Sequence, residues 1–262
     1  MRHLTYSGKI LFLTDEYGEE GREYFTVTVQ PDGARTLRAH TEMDNDGLIR
    51  DVTYTLTHDW RPEECFVHLV THGKFAGSAI FRFFDDRVEC EALTATEGRI
   101  TQVVPQTARI PVFAPHPVHG DSWLSKVGDL LRGDDRFAMI RNLGMSSPLP
   151  NGGSGPTASF VDNKIEYIGE ETITTPAGTY KTQHFKNWPL REGGINPPVE
   201  IWAYSEHFIP IRARWDLLHQ TYELVELKIT EPQGDKVYPL GSSVERKARF
   251  HAAYHAAKAA KK

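Results

Sequence analysis

Two histidines and an aspartate stand within six residues of one another in the run Pro115-His116-Pro117-Val118-His119-Gly120-Asp121-Ser122-Trp123. Histidine is the side chain most easily set to exchange protons near neutral pH. A neighbouring aspartate can orient an imidazole as it does in catalytic triads. A loop bounded by proline and glycine that runs into a helix is also a usual place for such a site. His116 or His119 is therefore the expected proton shuttle, with Asp121 orienting it. In the competing structural reading, Asp121 caps a helix, Trp123 anchors it and the histidines are ordinary loop residues. The His-x-x-His spacing alone, with no third ligand nearby and no H-E-x-x-H pattern, is a weak metal signal, so no metal is expected.

Alternation in the second half of the chain supplies a second group. Tyr180, Thr182, His184, Lys186 and Trp188 share one face of a strand. Glu200, Trp202 and Tyr204 share a face of the next, and Arg212 and Arg214 a face of a third. Aromatic walls with a few polar anchors are what a ligand-lining face looks like. Trp123, Trp188, Trp202, Tyr204 and Arg212 are the expected substrate contacts, and His184 a further catalytic candidate. Cross-strand Arg–Glu and aromatic pairing on an outer face would give the same pattern without a ligand. The first half has a polar face of its own, with Arg38, His40 and Glu42, then Arg50, Tyr54 and His58, then His68 and His72. Tyr54 and His68, each flanked by apolar residues, are the catalytic candidates there.

These residues need a scaffold, and the sequence reads as antiparallel β. Segments 22–29, 35–43, 48–58, 64–70, 77–84 and 86–94 alternate with period two and are split by short turns. Short links favour antiparallel neighbours, because a parallel pair needs a long crossover. The segment 121–132 reads as a short helix, capped by Asp121 or Ser122, with an apolar stripe of Trp123, Leu124, Val127, Leu130 and Leu131. The Gly-, Pro- and Ser-rich stretch 146–156 reads as a linker or lid. Strands resume at 164–175, 179–188, 199–205, 208–215 and 221–230, and an Ala-rich helix is expected over 243–262. The expected architecture is a single mainly β domain: a meander over 1–105, a helix and loop insert over 106–158, a second β stretch over 159–230 and the tail helix. A large curved antiparallel sheet, or an incomplete lipocalin-like barrel, protects the edges of so many strands.

The run GEETITTPAGTYKTQHFK, followed by EIWAYSEHFIPIRARW and TYELVEL, resembles an uncharacterised bacterial domain family. Its members have a TPAGT-type turn and an IPIR strand. The resemblance covers about 65 residues and implies a curved, lipocalin-like sheet. It implies no activity, since fold does not fix function. Many members are exported, and this sequence departs from them in showing no export signal.

The totals restrict function by exclusion. The 262 residues carry a formal charge of -5 with acids and bases interspersed, unlike the concentrated positive surface of a nucleic-acid binder. No apolar run has the length of a membrane span, and the beginning of the sequence lacks a signal-peptide pattern. Cys65 and Cys90 form no metal motif and could pair only across adjoining strands. Two half-buried thiols suit a reducing, cytoplasmic compartment. Dinucleotide, P-loop and nucleophile-elbow motifs are absent, and Asp44–Gly47 begins like a calcium loop without completing it. No cofactor is expected. The expected partner is a small hydrophobic or aromatic molecule, and a homo-oligomer is left open. The reading is a cofactor-independent lyase, isomerase or hydratase working by general acid–base chemistry. Its rivals are a carrier or sensor of a lipophilic ligand and a structural protein with none.

Overall fold

The computed structural model describes residues 3–133, 135–149, 151–191, 194–195 and 197–230. The expected tail helix over 243–262 lies outside them. The chain forms one sheet. Its first eight strands are a continuous antiparallel meander: β1 (Leu4–Thr14), β2 (Gly18–Val29), β3 (Arg35–Met43), β4 (Leu48–Leu56), β5 (Pro62–Thr71), β6 (Lys74–Phe83), β7 (Arg87–Thr94) and β8 (Gly98–Pro105). A short β9 (Phe113–Ala114) and α1 (Val118–Leu131), the one long helix among the described residues, follow. The second meander holds β10 (Phe137–Met145), β11 (Ser159–Thr175), β12 (Gly178–Arg191), β13 (Gly194–Ile195), β14 (Val199–Tyr204), β15 (Ile209–Trp215) and β16 (Gln220–Thr230).

The meanders are joined where β1 pairs antiparallel with β16, from Thr5 opposite Thr230 to Thr14 opposite Gln220. The strand path therefore runs β8 to β1, then β16, β15, β14, β12, β11, β10 and β9, with β13 beside β12. Among the described residues β8 and β9 are its two ends, so the sheet does not close into a barrel. This is the expected curved, incomplete barrel. Its curvature is evident from α1, which meets both meanders. His119 stacks on Phe25 of β2 at 4.4 Å between ring centroids, and Trp123 lies 5.8 Å from Tyr54 of β4. The same helix packs on β10, β11, β14 and β15. Gly128 makes the approach to β11 possible, because a Cβ there would stand 2.7 Å from Ile165 Cγ2.

Alternation places the apolar side of each strand toward α1. On β4, Leu48, Val52, Tyr54 and Leu56 are buried, and on β15 Ile209, Ile211, Ala213 and Trp215 are. Three long strands escaped the sequence reading, β1, β8 and β10, as did the two-residue β9 and β13. The helix begins three residues earlier than expected and has no side-chain cap of its own, since its N-cap residue is Pro117. Asp121 lies within the first turn, and the Ser122 hydroxyl is buried and donates to the Phe208 carbonyl at 2.7 Å. Leu130, expected in the apolar stripe, is 54% exposed, whereas Trp123, Leu124 and Val127 are buried. Cys65 and Cys90 are both free and buried. They stand on β5 and β7 with β6 between them, each opposite Phe81, which rules out a disulfide.

Candidate functional site

The concave face holds an apolar cavity of about 140 Å³ beneath α1. Its ceiling is Val118, Asp121 and Leu124 of the helix. Its floor comes from β10 to β16, with Leu143, Val161, Val199, Ile201, Ala213 and Tyr222 among the lining side chains, and Phe12 and Met43 close one side. Phe12, Met43, Asn151 and Tyr222 also line a second, outer cavity of about 430 Å³, rimmed by Glu20, Asn45, Asp46, Leu149, Leu218 and Gln220. The inner chamber thus shares a wall with an outer vestibule.

Register fixes the floor. Asn187 of β12 is opposite Val199 of β14, which is opposite Trp215 of β15. Asn163 of β11 is opposite Pro189, one diagonal step from Asn187. Both asparagines are buried, at 1% and 3% exposure. Asn163 Nδ2, both amide atoms of Asn187 and Trp215 Nε1 have no hydrogen-bond partner in the protein. A buried polar group without a partner costs about 1–3 kcal/mol. Three such side chains on one cavity wall are therefore unusual for a dry structural core.

Of the three clustered candidates, two reach this cavity. Asp121 Oδ1 accepts the backbone N–H of His116 at 3.1 Å. His116 has φ 76, in the left-handed region, although it precedes a proline. That N–H bond and a 3.0 Å contact between its Nδ1 and Ser146 Oγ hold it there. Asp121 keeps surface on the cavity but is enclosed by protein. Burial raises its carboxyl to about 7, against the lowering effects of the His116 N–H and the Arg50 guanidinium.

His119 is elsewhere, on the core side of the helix. It has no exposed surface, is stacked on Phe25, and its Nε2 lies 3.3 Å from the Tyr6 hydroxyl. Burial depresses it to about 3, so it stays neutral through the physiological range. The expected partnership of His119 with Asp121 is replaced by a core histidine, because two residues of helix, a turn of about 200°, send the two side chains to different faces.

The other candidates do not line the cavity. Trp188, Trp202, Tyr204 and Arg212 alternate with Asn187, Ile201, Ala203 and Ala213, and so fall on the outer face of the sheet. There His184 stacks on Trp202 at 4.3 Å and lies 2.7 Å from Glu200 Oε2. Arg212 bonds Glu223 at 2.6 Å. This is the cross-strand pairing that mimics a ligand wall in sequence. His68 is also on the outer face, 3.7 Å from Asp51. Tyr54 and Trp123 are fully buried core, and burial pushes the Tyr54 hydroxyl well up.

Two residues that organise the site have no role in the sequence reading: Glu23 is not singled out there, and Arg50 appears only on the polar face of the first half. Glu23 of β2 has no exposed surface, and its two carboxyl oxygens accept the Val118 and His119 backbone N–H groups at 2.6 and 3.0 Å. It supplies from 95 residues away the cap that Pro117 cannot. Burial raises it to about 8 despite those two N–H donors, and Asp121 adds to the rise. Arg50 of β4 is buried and bonds the Pro115 carbonyl twice, the Gly152 carbonyl and the Ser146 hydroxyl. It fastens the loops that carry His116 and Asn151. The 146–156 stretch, expected as a linker or lid, is held down by this arginine.

The raised Asp121 pKa has a measurable consequence. A carboxyl raised from 3.8 to about 7 on folding makes the native state hold the extra proton. Its contribution is therefore fully present below pH 3.8 and is lost as pH rises through about 7. Asp121→Asn keeps an oxygen for the His116 N–H and removes the titration. The variant should gain on the wild type between about pH 4 and 7 and melt ~3–6 °C higher at pH 8, corresponding to ~1–2 kcal/mol. Melting curves that keep the same separation from pH 4 to pH 8 would contradict the assignment.

No protein-family model and no curated protein matches this chain. Similarity is found among solved structures. A β-barrel-like protein of domain of unknown function DUF1849 from Brucella abortus superposes with a TM-score of 0.55 at 11% identity, covering 88% of this chain and all of its own. A DUF1089 family protein from Pseudomonas aeruginosa reaches 0.43 at 13% identity, covering 72% of this chain and 87% of its own. The first establishes a β-barrel-like fold shared with an uncharacterised bacterial domain, and at that identity nothing beyond the fold. No helix among the described residues is long and apolar enough to cross a membrane.

Proposed function

We propose that the cavity beneath α1 binds a small, largely apolar molecule and that the protein is its carrier or sensor. The observation that carries this reading is the wall of buried, unpartnered Asn163, Asn187 and Trp215 in an otherwise apolar chamber. Ligand sites commonly combine apolar walls with a few placed polar groups. The chamber is of a size that takes one aromatic ring, since an engineered cavity near 150 Å³ holds benzene. The vestibule gives such a molecule room to extend.

The test is a thermal melt with toluene and with acetophenone at millimolar concentration. Melting temperature should climb with either probe, as it must for anything binding only the folded state. Ala213→Leu, which fills the chamber from β15, should suppress the climb. A melting temperature unmoved by both probes removes the reading.

A second reading has one observation in its favour: Asp121, a carboxyl near neutrality at the cavity wall. Such a group is suited to general acid–base work, as a lyase, isomerase or hydratase requires. His119 is out of reach, so Asp121 would move the proton itself. Deuterium incorporation into the methyl group of acetophenone, abolished in Asp121→Asn, would favour this reading over simple carriage.

A further inference from the structure

We propose that the ligand's polar end is an uncharged acceptor oxygen, such as a ketone, ester or lactone carbonyl, held by Asn163, Asn187 and Trp215. The inference rests on the cavity being a ligand site and names what that site selects. Among the polar atoms of this wall that are sealed from solvent and lack a partner, three are N–H donors, namely Asn163 Nδ2, Asn187 Nδ2 and Trp215 Nε1, and one is an acceptor, Asn187 Oδ1. Asn187 and Trp215 flank Val199 in the same register row. Their Cα atoms are two strand spacings apart, about 10 Å, so an oxygen above Val199 is within reach of both side chains. Asn163 approaches the same place from the diagonal position on β11. Donors in excess call for a group that accepts.

Charge argues against the ionic alternatives. Neither the chamber nor the vestibule is lined by a lysine or arginine. The one guanidinium nearby, Arg50, points its nitrogens at Pro115, Ser146 and Gly152. The acidic lining groups are Asp121 within and Glu20 and Asp46 at the rim. A carboxylate entering would meet Asp121 in a poorly solvated space, and one of the two would have to take up a proton. An ammonium would turn further donors toward three donors, with the Asn187 oxygen and Asp121 as its main acceptors. A neutral carbonyl meets none of these penalties, and an apolar molecule of the same size leaves the amides unsatisfied.

Calorimetric titration of the full chain at pH 8 with toluene, acetophenone, benzoate and benzylamine separates the cases, the four sharing one ring. Acetophenone should bind at least tenfold tighter than toluene, and benzoate and benzylamine at least tenfold weaker than acetophenone. Asn187→Leu, close in size, should erase the advantage of acetophenone over toluene. It should also raise the melting temperature of the unliganded protein, because an unpartnered buried amide is removed. Trp215→Phe provides the same comparison at the other end of the row should the leucine variant fail to fold. Equal affinity for toluene and acetophenone, an acetophenone preference untouched by both variants, or tightest binding of benzoate or benzylamine each overturns the inference while leaving the cavity a binding site. Binding of none of the four removes the site as well.

Discussion

Glu23→Ala is expected to lower the melting temperature by ~6–12 °C, equivalent to about 3 kcal/mol. Two effects add. The helix loses the side chain that, alone among the described residues, accepts its first N–H groups, since Pro117 has none to offer. Those N–H groups are also sealed beneath the sheet, where water cannot replace the carboxyl. Capping losses are typically about 1 kcal/mol, and each buried orphan donor adds about 1–3. Relief of an expensively buried acid offsets part of this. Glu23→Gln separates the terms. Its amide still accepts one N–H but presents an NH₂ to the other, so it is less stable than the wild type at pH 5. Burial holds the Glu23 carboxyl near 8 in the folded protein against 4.5 ordinarily. The wild type therefore loses this contribution between about pH 4.5 and 8, and the gap to Gln should narrow across that window and level off above it. A gap that stays constant from about pH 5 to pH 9 would mean that the N–H pair and the helix N-terminus outweigh burial and keep Glu23 ionised.

Glu23 also illustrates what the sequence offers and withholds. In REYFTVTV, Glu23 falls in phase with Phe25 and Val27, so an acid on the buried face was visible there. Its partner, 95 residues on, was not. Asn163 and Asn187 carry the same signal, since each shares a face with buried Ile165 or Phe185 and asparagine is a poor strand former. The alternation of β2 to β7 is regular and bounded by turns, and those strands were legible. By contrast, β1 is interrupted by Ser7-Gly8-Lys9, and β10 carries Asn142 at φ 54 and a register shift between Ile140 and Leu143. Period-two reading fails at such breaks.

The parity of the second half was the costlier error. Aromatic and polar residues on β12 and β14 attracted the ligand wall, yet the residues that alternate with them are the ones turned to the concave side. Ile201, Ala203 and Ala213 take that side, and Trp202, Tyr204 and His184 are turned outward into stacked and ion-paired ladders. The loop cluster fared better. His116 and Asp121 do meet at the cavity, but helix α1 starts early enough to swing His119 into the core.

The second large effect is expected at Arg50. Its guanidinium has 1% exposure and ties Pro115, Ser146 and Gly152 together through bonds of 2.5–3.1 Å. Burial lowers its pKa to about 10, still well above neutrality, so it carries its charge in the folded protein. A charge-assisted bond is worth about 1.5–3 kcal/mol net, and some of that sum is consumed by desolvating the guanidinium. Arg50→Met, which keeps the buried stem, should therefore cost ~3–5 kcal/mol and lower the melting temperature by ~6–20 °C. Arg50→Lys should recover little, because one ammonium cannot reach carbonyls on two loops and a hydroxyl at once. The site should fail before the fold does. Released from Arg50, the segments around His116 and Asn151 no longer hold the cavity wall, so the stabilisation by toluene should vanish at temperatures where circular dichroism still reports an intact sheet. Limited proteolysis should then cut between 147 and 157 faster than in the wild type. An Arg50→Met protein that resists cleavage there and is still stabilised by toluene would mean that the loops hold their own shape and that the buried charge serves some other end.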